Sequence, residues 1–532
     1  MSEKVYLKPN VLVEPLFNQW YAWPYLIAPE TAAMFIANLH VKIMQSFVNA
    51  PQVHISALKN PAMLGGPFIN YDASKVGAIR GLIDKTLTEQ SHMLQFAEAV
   101  KQLDDTLTSE AQGYALTPLY EKTPDILKGY VELVYDANNH ASIRFIEGLL
   151  YKSPFYNEAS QSVSLSLIDN DDRSFILSTP LLEDENSLHL KVPFSDKRLD
   201  ELFKMKHVPQ PYEYIRDLFG ITSGDDDKFF SSLFTTENGH ENGNYRGEGV
   251  RIRYFGHACI LIETKETSIL CDPVIGYKLG DDSSRYTYLD LPDRIDYVVI
   301  THAHQDHCIF ETLLQLRHKI RNIIVPRSSG GELIDPSLKL VLRNIGFANV
   351  MEIDEMESIN VEGGAITGIP FMGEHADLNI KTKIAYLVTL GGKSIMCAAD
   401  SNNIEPKLYE HIREVVGEID TVFLGMECDG APLTWLYGPL LTKPVSRKMD
   451  QSRRFDGSDF NKAFKIIEQL NAKRAYVYAM GQEPWLTFLT SIQYTQESRP
   501  IVESNKLVKE CQTRGMEAKR LFGCESIVLG SD

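Results

Sequence analysis

Four side chains that can bind metal ions lie within six residues, at the end of an apolar segment. IDYVVIT (295–301) leads directly into His302, His304, Asp306 and His307. A metal ion needs several lone pairs that converge on one point, and a tight loop at the end of a strand can supply them. His302 and His304 can reach one ion, while Asp306 and His307 can reach a second ion close by. The sequence therefore predicts a dinuclear metal site.

Further ligands are expected where later strands end. Asp400 closes SIMCAAD, while Glu374 and His375 are adjacent in FMGEHAD, where only one of the two can easily face the site. The remaining ligand is expected after a late strand, where the sequence offers either Glu427, in TVFLGMECDG, or Glu483, in AYVYAMGQEP. Glu427 is favoured because it follows its strand directly, as the other candidate ligands do.

The HxHxDH pattern after a buried strand resembles the signature of the metallo-β-lactamase superfamily. FGHACILIE and ILCDP, just upstream, look like the entry hairpins of its lactonase and phospholipase-like branch, and the likeness covers about residues 250–490. It implies a C-terminal αββα sandwich in which Asp400 bridges two metals. Hydrolases of this superfamily carry a last histidine after a late strand. Here no histidine follows His411, which itself lies in a predicted helix, KLYEHIREVV.

The expected ligand set differs in charge from that of a zinc hydrolase. It contains three imidazoles and four carboxylates, from His302, His304, His307, Asp306, Glu374, Asp400 and Glu427. Four negative charges neutralise two divalent cations, whereas a histidine-rich site keeps the positive charge that lowers the pKa of zinc-bound water. Carboxylate-rich dinuclear sites are typical of di-iron proteins, and iron, unlike zinc, can reduce O2. The set therefore favours oxygen activation over hydrolysis.

A closer resemblance is to the di-iron β-hydroxylases of nonribosomal peptide biosynthesis, through the chain length and the series GEHAD, AAD and MECDG. It implies an oxo- or hydroxo-bridged cluster of two Fe ions on those seven residues, with Glu374 also catalytic. The implied enzyme is an O2-dependent monooxygenase that hydroxylates the β-carbon of an amino acid held as a thioester on a carrier domain. The resemblance also implies a homodimer formed through the N-terminal domain. Electrons must come from an external reductase or ferredoxin, because the sequence has no flavin or nicotinamide fingerprint.

Two other functions are compatible with the same ligands. The first is a dinuclear zinc or manganese hydrolase of lactones or phosphodiesters. The second is a binding module that a metal stabilises without turnover. The metal content and the near-ultraviolet absorption of an oxidised di-iron centre distinguish these classes from the hydroxylase.

The second half of the chain alternates short apolar segments with amphipathic ones. This pattern predicts helices at 310–319 and 459–471, and strands at 250–255, 258–263, 268–271, 295–301, 321–326, 383–390, 393–398 and 475–479. Alternating strands and helices, with a site at a strand's C-terminal end, indicate a layered α/β sandwich.

Residues 235–249, TTENGHENGNYRGEG, have the composition of a linker, with many Gly and Asn and no aliphatic side chain. We therefore predict two domains, 1–245 and 246–532. The first domain is predicted to be mixed α/β, with a helix over 74–105 and strands at 163–168, 174–178 and 187–194. Among its histidines, His40, His54, His92 and His140 are scattered and form no ligand cluster. It is predicted to serve structure, dimerisation or substrate docking.

The overall composition excludes several classes of protein. The chain has 532 residues, 44% hydrophobic and 23% charged, which excludes collagenous and wholly disordered proteins. A net charge of −18 argues against nucleic acid as the main partner. No apolar run approaches the length of a membrane span, and seven cysteines, all absent from the first 258 residues, suit a reduced compartment. We expect a cytoplasmic enzyme without a membrane partner.

Two features near Glu427 are candidates for substrate contact. Trp435 and Tyr437, in APLTWLYGPL, either line a substrate pocket or serve packing alone. Basic residues are concentrated in the segment from Lys443 to Asp459, at Lys443, Arg447, Lys448, Arg453 and Arg454. In an acidic chain, such a segment is a candidate for docking an acidic partner or a phosphate.

Overall fold

The structure is a computed structural model that describes residues 3–222, 224–237, 244–280 and 284–530. Its C-terminal part contains two seven-stranded sheets packed face to face, with helices on their outer faces. This is the predicted αββα sandwich, preceded by a large mixed α/β region. Residues 238–243 of the expected linker lie outside the described residues, and the division at residue 245 stays a prediction.

The first sheet of the sandwich contains the strand that leads into the histidine motif. Its strands are, in spatial order, Val350–Ile353, Ile320–Pro326, Ile295–Val299, Ser268–Cys271, Cys259–Glu263, Val250–Gly256 and Glu525–Leu529. The first four pair in parallel and the remaining pairs are antiparallel. Because Ile295–Val299 is parallel to Ser268–Cys271, Asp272 and the histidine motif emerge at the same edge.

The second sheet repeats this arrangement. Its order is Ser358–Val361, Gly364–Ile369, Ala385–Leu390, Lys393–Cys397, Thr421–Gly425, Arg474–Tyr478 and Glu517–Arg520. The last four strands are parallel, so the loops that carry Asp400, Glu427 and Glu483 leave from one edge. All the strands predicted for this half are present, within two residues at each end.

The core between the sheets is built from the alternate, inward-facing residues of each strand. Ile252, Ile260 and Val299 of the first sheet pack with Val388 and Ile395 of the second, and all are buried. The outer helices of this half are Phe310–Leu316, Leu338–Asn344, Lys407–Val416, Arg447–Ser452, Phe460–Gln469, Thr487–Thr490 and Arg499–Thr513. The predicted helices 310–319 and 459–471 correspond to two of these, Phe310–Leu316 and Phe460–Gln469.

The N-terminal region has three small sheets. The first sheet contains, in spatial order, Gln210–Pro211, Lys4–Leu7 and Phe234–Thr235. The second contains Trp20–Tyr21, Val11–Phe17, Gln161–Leu167 and Ser187–Leu190. The third is the hairpin of Val131–Tyr135 with Ala141–Phe145. Its helices are Pro24–Ile27, Pro29–Phe35, Val41–Asn49, Pro51–Leu58, Val76–Glu89, Ser91–Glu110, Glu147–Leu150, Arg198–Lys204, Tyr212–Phe219 and Asp225–Ser232. None of the described helices is long and apolar enough to cross a membrane.

Three predictions for this region were wrong in detail. The helix over 74–105 is two helices that break at Gln90, whose side-chain amide donates to Ser160 Oγ at 2.8 Å. Residues 174–178 form no strand, because Ile176 bonds to the carbonyl of Phe488 in the C-terminal half at 3.0 Å. The strand predicted at 187–194 ends at Leu190, shortly before Pro193, which has no N–H for a ladder.

A buried ion network joins the two halves of the chain. Arg173 donates to Glu311 Oε2 at 2.8 Å and to Glu14 Oε1 at 2.9 Å, and Phe488 lies under its guanidinium. The hydroxyls of Tyr21 and Tyr277 also donate to Glu311, at 2.9 and 2.8 Å. Burial raises the pKa of Glu14 although Arg173 opposes the shift. Because Arg173 and Glu14 lie in the N-terminal region and Glu311 lies in the C-terminal half, these ion pairs form only while both halves are in place.

We expect Arg173→Ala to lower the free energy of unfolding by about 3–5 kcal/mol, because it leaves buried carboxylates without a counterion. Urea unfolding followed by circular dichroism measures the loss. Arg327→Ala is the control: its ion pair with Asp354 is at the surface and is expected to contribute less than about 1 kcal/mol. Equal effects of the two substitutions would contradict a structural role for the network.

Candidate dinuclear metal centre

Three groups of candidate ligands meet where the two sheets end. Their ligand atoms lie within 4.8 Å of one another in each group. The groups are His302, His304, Glu374 and His375; His302, His307 and Asp400; and His257, Asp306 and His307. Because neighbouring groups share His302 or His307, the arrangement is a continuous double site, as the spacing of the motif predicts.

Glu374 and Asp400 connect the imidazoles. Glu374 Oε1 lies 3.1 Å from His304 Nδ1, and Asp400 Oδ2 lies 3.0 Å from His307 Nε2 and 3.8 Å from His302 Nε2. Asp400 therefore lies between His302 and His307, the two imidazoles that its group shares with the other two groups, where a bridging carboxylate is expected.

Two candidate ligand atoms, Asp400 Oδ1 and Glu427 Oε2, are buried with no hydrogen-bond partner among the described residues. His307 Nε2 and Glu374 Oε2 are also buried, and they lie 3.0 Å from Asp400 Oδ2 and His375 Nδ1. Buried polar atoms are normally paired, so a cluster of unpaired lone pairs at one point fits cations between them. The donor set of imidazoles and carboxylates suits two iron ions.

The electrostatics of the protein alone show strong coupling within this cluster. Burial and the neighbouring imidazoles lower the pKa of His302 well below its ordinary value, which leaves a free lone pair. Burial raises the pKa of Asp400 and raises that of Glu427 to about 8. Burial would also raise the pKa of Asp306, but His307 and a hydrogen bond from His257 lower it below its ordinary value.

Asp272 and Thr301 orient two of the imidazoles. Asp272 accepts from Thr301 Oγ1 at 2.6 Å and from His307 Nδ1 at 2.8 Å. Because Thr301 gives its proton to Asp272, its oxygen accepts from His302 Nδ1, at 3.0 Å. Both imidazoles thereby carry a proton on Nδ1 and keep the lone pair of Nε2 for a metal.

The loop that carries Glu374 has an unusual backbone. Glu374, Ala376 and Asp377 have φ of 62°, 51° and 56°, in the left-handed region that few residues other than glycine adopt. Gly373 is also left-handed, and a Cβ there would lie 2.4 Å from Cβ of Asn402. Arg453 Nε anchors the loop by donating to the Ala376 carbonyl at 2.8 Å. Such strain persists where the surrounding structure holds a functional group in place.

The hydrogen bonds of Glu374 and His375 indicate which of the two is the candidate metal ligand. His375 Nδ1 lies 3.0 Å from Glu374 Oε2 and 3.3 Å from the carbonyl of Gly373. A carbonyl only accepts, so Nδ1 carries a proton and can donate to Glu374. This geometry favours Glu374 as the ligand and His375 as the group that orients it.

The contacts of Glu427 and Glu483 likewise indicate which of the two is the better candidate ligand. Glu427 lines the same cavity as Asp306, Glu374 and Asp400. Glu483 bonds instead to the hydroxyl of Tyr254 and accepts from the Gly523 N–H at 3.4 Å. Glu427 is the better candidate, although it belongs to none of the three ligand groups.

His257 also belongs to the cluster, although it was not predicted from the sequence. It lies at the turn between Val250–Gly256 and Cys259–Glu263, with φ of 50°, and its Nε2 is 3.3 Å from Asp306 Oδ2. Its Nδ1 accepts from the Gly481 N–H at 3.2 Å, so the proton is on Nε2, directed at Asp306. His257 therefore orients Asp306. Its position in FGHACILIE, before a strand of the motif sheet, was the available signal.

A cavity of about 820 Å³ opens beside the cluster. His304, Asp306, Glu374, Asp400 and Glu427 form its metal side. Residues 61–68 of the N-terminal region form part of the facing wall, and Trp435 Nε1 holds this segment by donating to the Gly65 carbonyl at 3.0 Å. Trp435 lines the cavity, whereas Tyr437 lies behind His304, with its hydroxyl 2.9 Å from His304 Nε2.

The fold and this double site define a metallo-β-lactamase-fold protein with a dinuclear centre. The Diiron non-heme beta-hydroxylase N-terminal domain matches residues 6–238, and the Beta-lactamase superfamily domain matches residues 267–477. The 4-amino-L-phenylalanyl-[CmlP-peptidyl-carrier-protein] 3-hydroxylase of Streptomyces venezuelae is 38% identical over 522 residues, which cover 97% of this chain and 98% of that protein. A UPF0173 protein of Pyrococcus abyssi is 29% identical over 29% of this chain and 60% of its own length.

The crystal structure of CmlA, a di-iron β-hydroxylase from Streptomyces venezuelae, superposes with a TM-score of 0.93 at 36% identity, covering 99% of this chain and all of the other. The chain belongs to the family of di-iron non-haem β-hydroxylases. It is accordingly an oxidoreductase of the monooxygenase class that uses two irons and O2, as the charge of the ligand set predicted. This membership favours the hydroxylase over the zinc or manganese hydrolase.

We expect Glu374→Ala to lose bound iron, because it removes an anionic ligand and leaves the cations under-compensated. His375→Ala is expected to retain most of its iron. Iron per chain, measured by plasma mass spectrometry after anaerobic loading and desalting, gives the comparison. Loss of iron from the His375 variant alone would reverse the assignment.

Glu427→Gln and Glu483→Gln provide a second pair of matched variants, since each removes one buried carboxylate charge at nearly constant volume. We expect the Glu427 variant to bind Fe2+ at least about tenfold more weakly and the Glu483 variant to bind it normally. Competition with a chromophoric chelator measures both affinities. A weakened Glu483 variant beside a normal Glu427 variant would identify Glu483 as the ligand.

Proposed function

We propose that this enzyme hydroxylates the β-carbon of an amino acid held as a thioester on a carrier domain of a nonribosomal peptide synthetase. The observation that carries the proposal is the similarity, over nearly the full length of both chains, to an enzyme named for a 4-aminophenylalanyl group on a peptidyl carrier protein. The cavity beside the candidate ligands provides supporting evidence from this chain itself.

The proposed ligands are His302, His304, Asp306, His307, Glu374, Asp400 and Glu427. When two irons are bound there, they supply the reduction of O2 that inserts one oxygen atom into a C–H bond. Glu374 is the proposed catalytic residue, because its carboxylate lines the cavity beside the other candidate ligands.

The cavity suits the aminoacyl end of a tethered substrate. Its volume of about 820 Å³ lies in the upper part of the range of about 300–1,000 Å³ typical of pockets for drug-sized ligands. Phe68, Trp435 and Phe455 give it aromatic walls, which favour an apolar or aromatic side chain. Contacts with the remote carrier and its arm can orient the β-carbon toward the metals.

The basic segment divides into two parts in the structure. Arg453 supports the Glu374 loop, and Arg454 lines the cavity near Asp429. Arg447 and Lys448 are exposed on the helix Arg447–Ser452. Because carrier domains generally present acidic helices, we propose that Arg447 and Lys448 attract the carrier to an otherwise acidic enzyme.

The reaction also requires electrons from outside the chain. Insertion of one oxygen atom and reduction of the other to water consume O2, two electrons and two protons. We therefore propose an external reductase or ferredoxin as the electron donor, since no flavin or nicotinamide fingerprint is present in the sequence. The homodimer implied by the family resemblance stays a prediction.

The test is turnover of a panel of aminoacyl-carrier proteins, beginning with aromatic amino acids, by iron-loaded enzyme with O2 and a chemical reductant. Mass spectrometry is expected to show a gain of one oxygen on the carrier-bound amino acid and little on the free amino acid. Equal turnover of both forms would refute the requirement for a carrier.

Charge reversal tests the docking part of this proposal. Arg447→Glu with Lys448→Glu is expected to weaken carrier binding at least about tenfold at low salt, with a smaller loss at high salt and unchanged iron content. Arg413→Glu with Lys509→Glu, at exposed positions on the outer helices Lys407–Val416 and Arg499–Thr513, changes the net charge equally and is the control. Equal losses in both double variants would show a general charge effect and contradict docking at this helix.

A further inference from the structure

Two charged residues on the wall of the cavity are not among the proposed metal ligands. Apart from the four carboxylates proposed as ligands, the acidic, lysine and arginine side chains that line the cavity are, among the described residues, Asp429 and Arg454. The side chain of Asp429 is 63% exposed, against 8% for Glu374. Asp429 therefore lies nearer the open side of the cavity than Glu374 does.

Asp429 nevertheless adjoins the candidate metal centre. Its backbone N–H donates to Glu427 Oε1 at 3.3 Å. Its own carboxylate accepts no hydrogen bond from the described residues, since Arg454 Nη2 lies 4.0 Å from Oδ1, too far for a hydrogen bond. The carboxylate of Asp429 is therefore available to a ligand in the cavity.

Arg454 lies between two carboxylates, of which only Asp429 belongs to the cavity wall. Its Nη2 is 4.0 Å from Asp429 Oδ1, and its Nε is 3.9 Å from Asp456 Oδ1. Asp456 does not line the cavity, and its Oδ1 accepts from the Gly430 N–H at 3.0 Å. The two aspartates thus form a natural pair for comparison, because they have the same charge beside the same guanidinium and differ in access to the cavity.

The proposed substrate carries a positive charge close to the carbon that is hydroxylated. Formation of a thioester removes the carboxylate charge of an amino acid and leaves the α-ammonium, whose nitrogen is two bonds from the β-carbon. A carboxylate that binds this ammonium therefore restrains the β-carbon as well. Charge-assisted hydrogen bonds of this kind are stronger than those between neutral groups.

A second acceptor suited to an ammonium group lies in the same wall. Gln305 follows His304 and lines the cavity, and its Nε2 donates to the carbonyl of Leu489 at 3.3 Å. Because a carbonyl only accepts, this bond identifies the amide nitrogen, and Oε1 is directed elsewhere. Gln305 Oε1 is buried and has no hydrogen-bond partner among the described residues. A ligand with several N–H donors would satisfy such an acceptor.

We propose that Asp429 binds the α-ammonium of the tethered amino acid, so that the enzyme selects acyl groups that carry a free α-amino group. The inference rests on the proposed function and names the residue that positions its substrate. Gln305 Oε1 is the second acceptor for the ammonium. Arg454 competes with the ammonium for Asp429 and so limits the affinity.

The test compares two forms of one carrier domain, loaded with phenylalanine or with 3-phenylpropionate, which lacks only the amino group. Binding of each form to iron-loaded enzyme without O2 is measured by fluorescence anisotropy of labelled carrier. We expect the parent enzyme to bind the phenylalanyl form at least about tenfold more tightly. Asp429→Asn is expected to weaken binding of that form about 5–20-fold and to change binding of the phenylpropionyl form less than about twofold.

Asp456→Asn is the matched control, since it removes the other carboxylate beside Arg454. It is expected to bind both forms as the parent does. Arg454→Gln removes the competing cation, and we expect it to strengthen binding of the phenylalanyl form about 2–5-fold and to leave the other form unchanged. A purely structural role of Asp429 would change the binding of both forms equally.

The result for Asp429→Asn decides the inference. Equal losses for the two forms, or no loss for either, would overturn it. Iron content and circular dichroism are expected to match the parent, because the Asp429 side chain is largely exposed. If the variant is nevertheless misfolded, Arg454→Gln decides through the opposite sign of its effect.

The same measurements separate this inference from the proposed function. If the parent enzyme binds neither loaded form more tightly than the empty carrier, the proposed function and the inference both fail. If the phenylalanyl form is bound and hydroxylated while Asp429→Asn has no effect specific to that form, the proposed function stands and the inference alone fails.

Discussion

The structure depends on a cluster of buried carboxylates and imidazoles whose lone pairs converge at the edge where two sheets end. Carboxylates and imidazoles in such a place are costly unless cations lie between them, because burial favours neutral groups and unpaired polar atoms lose their hydrogen bonds to water. The left-handed backbone at Glu374 and the bonds from Asp272 and Thr301 all serve to hold these atoms toward one another. The surrounding fold therefore stabilises an arrangement that becomes favourable when metals bind.

Much of this centre could be predicted because it follows local chain geometry. The motif from His302 to His307 lies in one loop after an apolar strand, and Asp400 and Glu427 follow strands of the second sheet directly. Parallel strands bring their carboxyl ends to a common edge, so side chains distant in sequence converge there. The charge of the ligand set then indicated iron rather than zinc, which the family membership confirms.

Other parts of the centre could not be predicted from the same reasoning, because they depend on contacts between remote segments. His257 faces Asp306 from a hairpin turn, and Tyr437 reaches His304 from behind the cavity rather than lining it. Residues 174–178 were predicted to form a strand. Ile176 bonds instead to the carbonyl of Phe488 and Phe175 stacks on Trp435, both contacts with the C-terminal half that periodicity alone cannot show. Similarly, the cavity wall at 61–68 carries no motif that marks it in the sequence.

The N-terminal region is therefore linked to the active centre in two physical ways. Residues 61–68 form part of one wall of the cavity, and Arg173 binds the buried Glu311 of the other half. The catalytic half alone would keep the proposed ligands but lose this part of the cavity wall and the counterion of the buried Glu311.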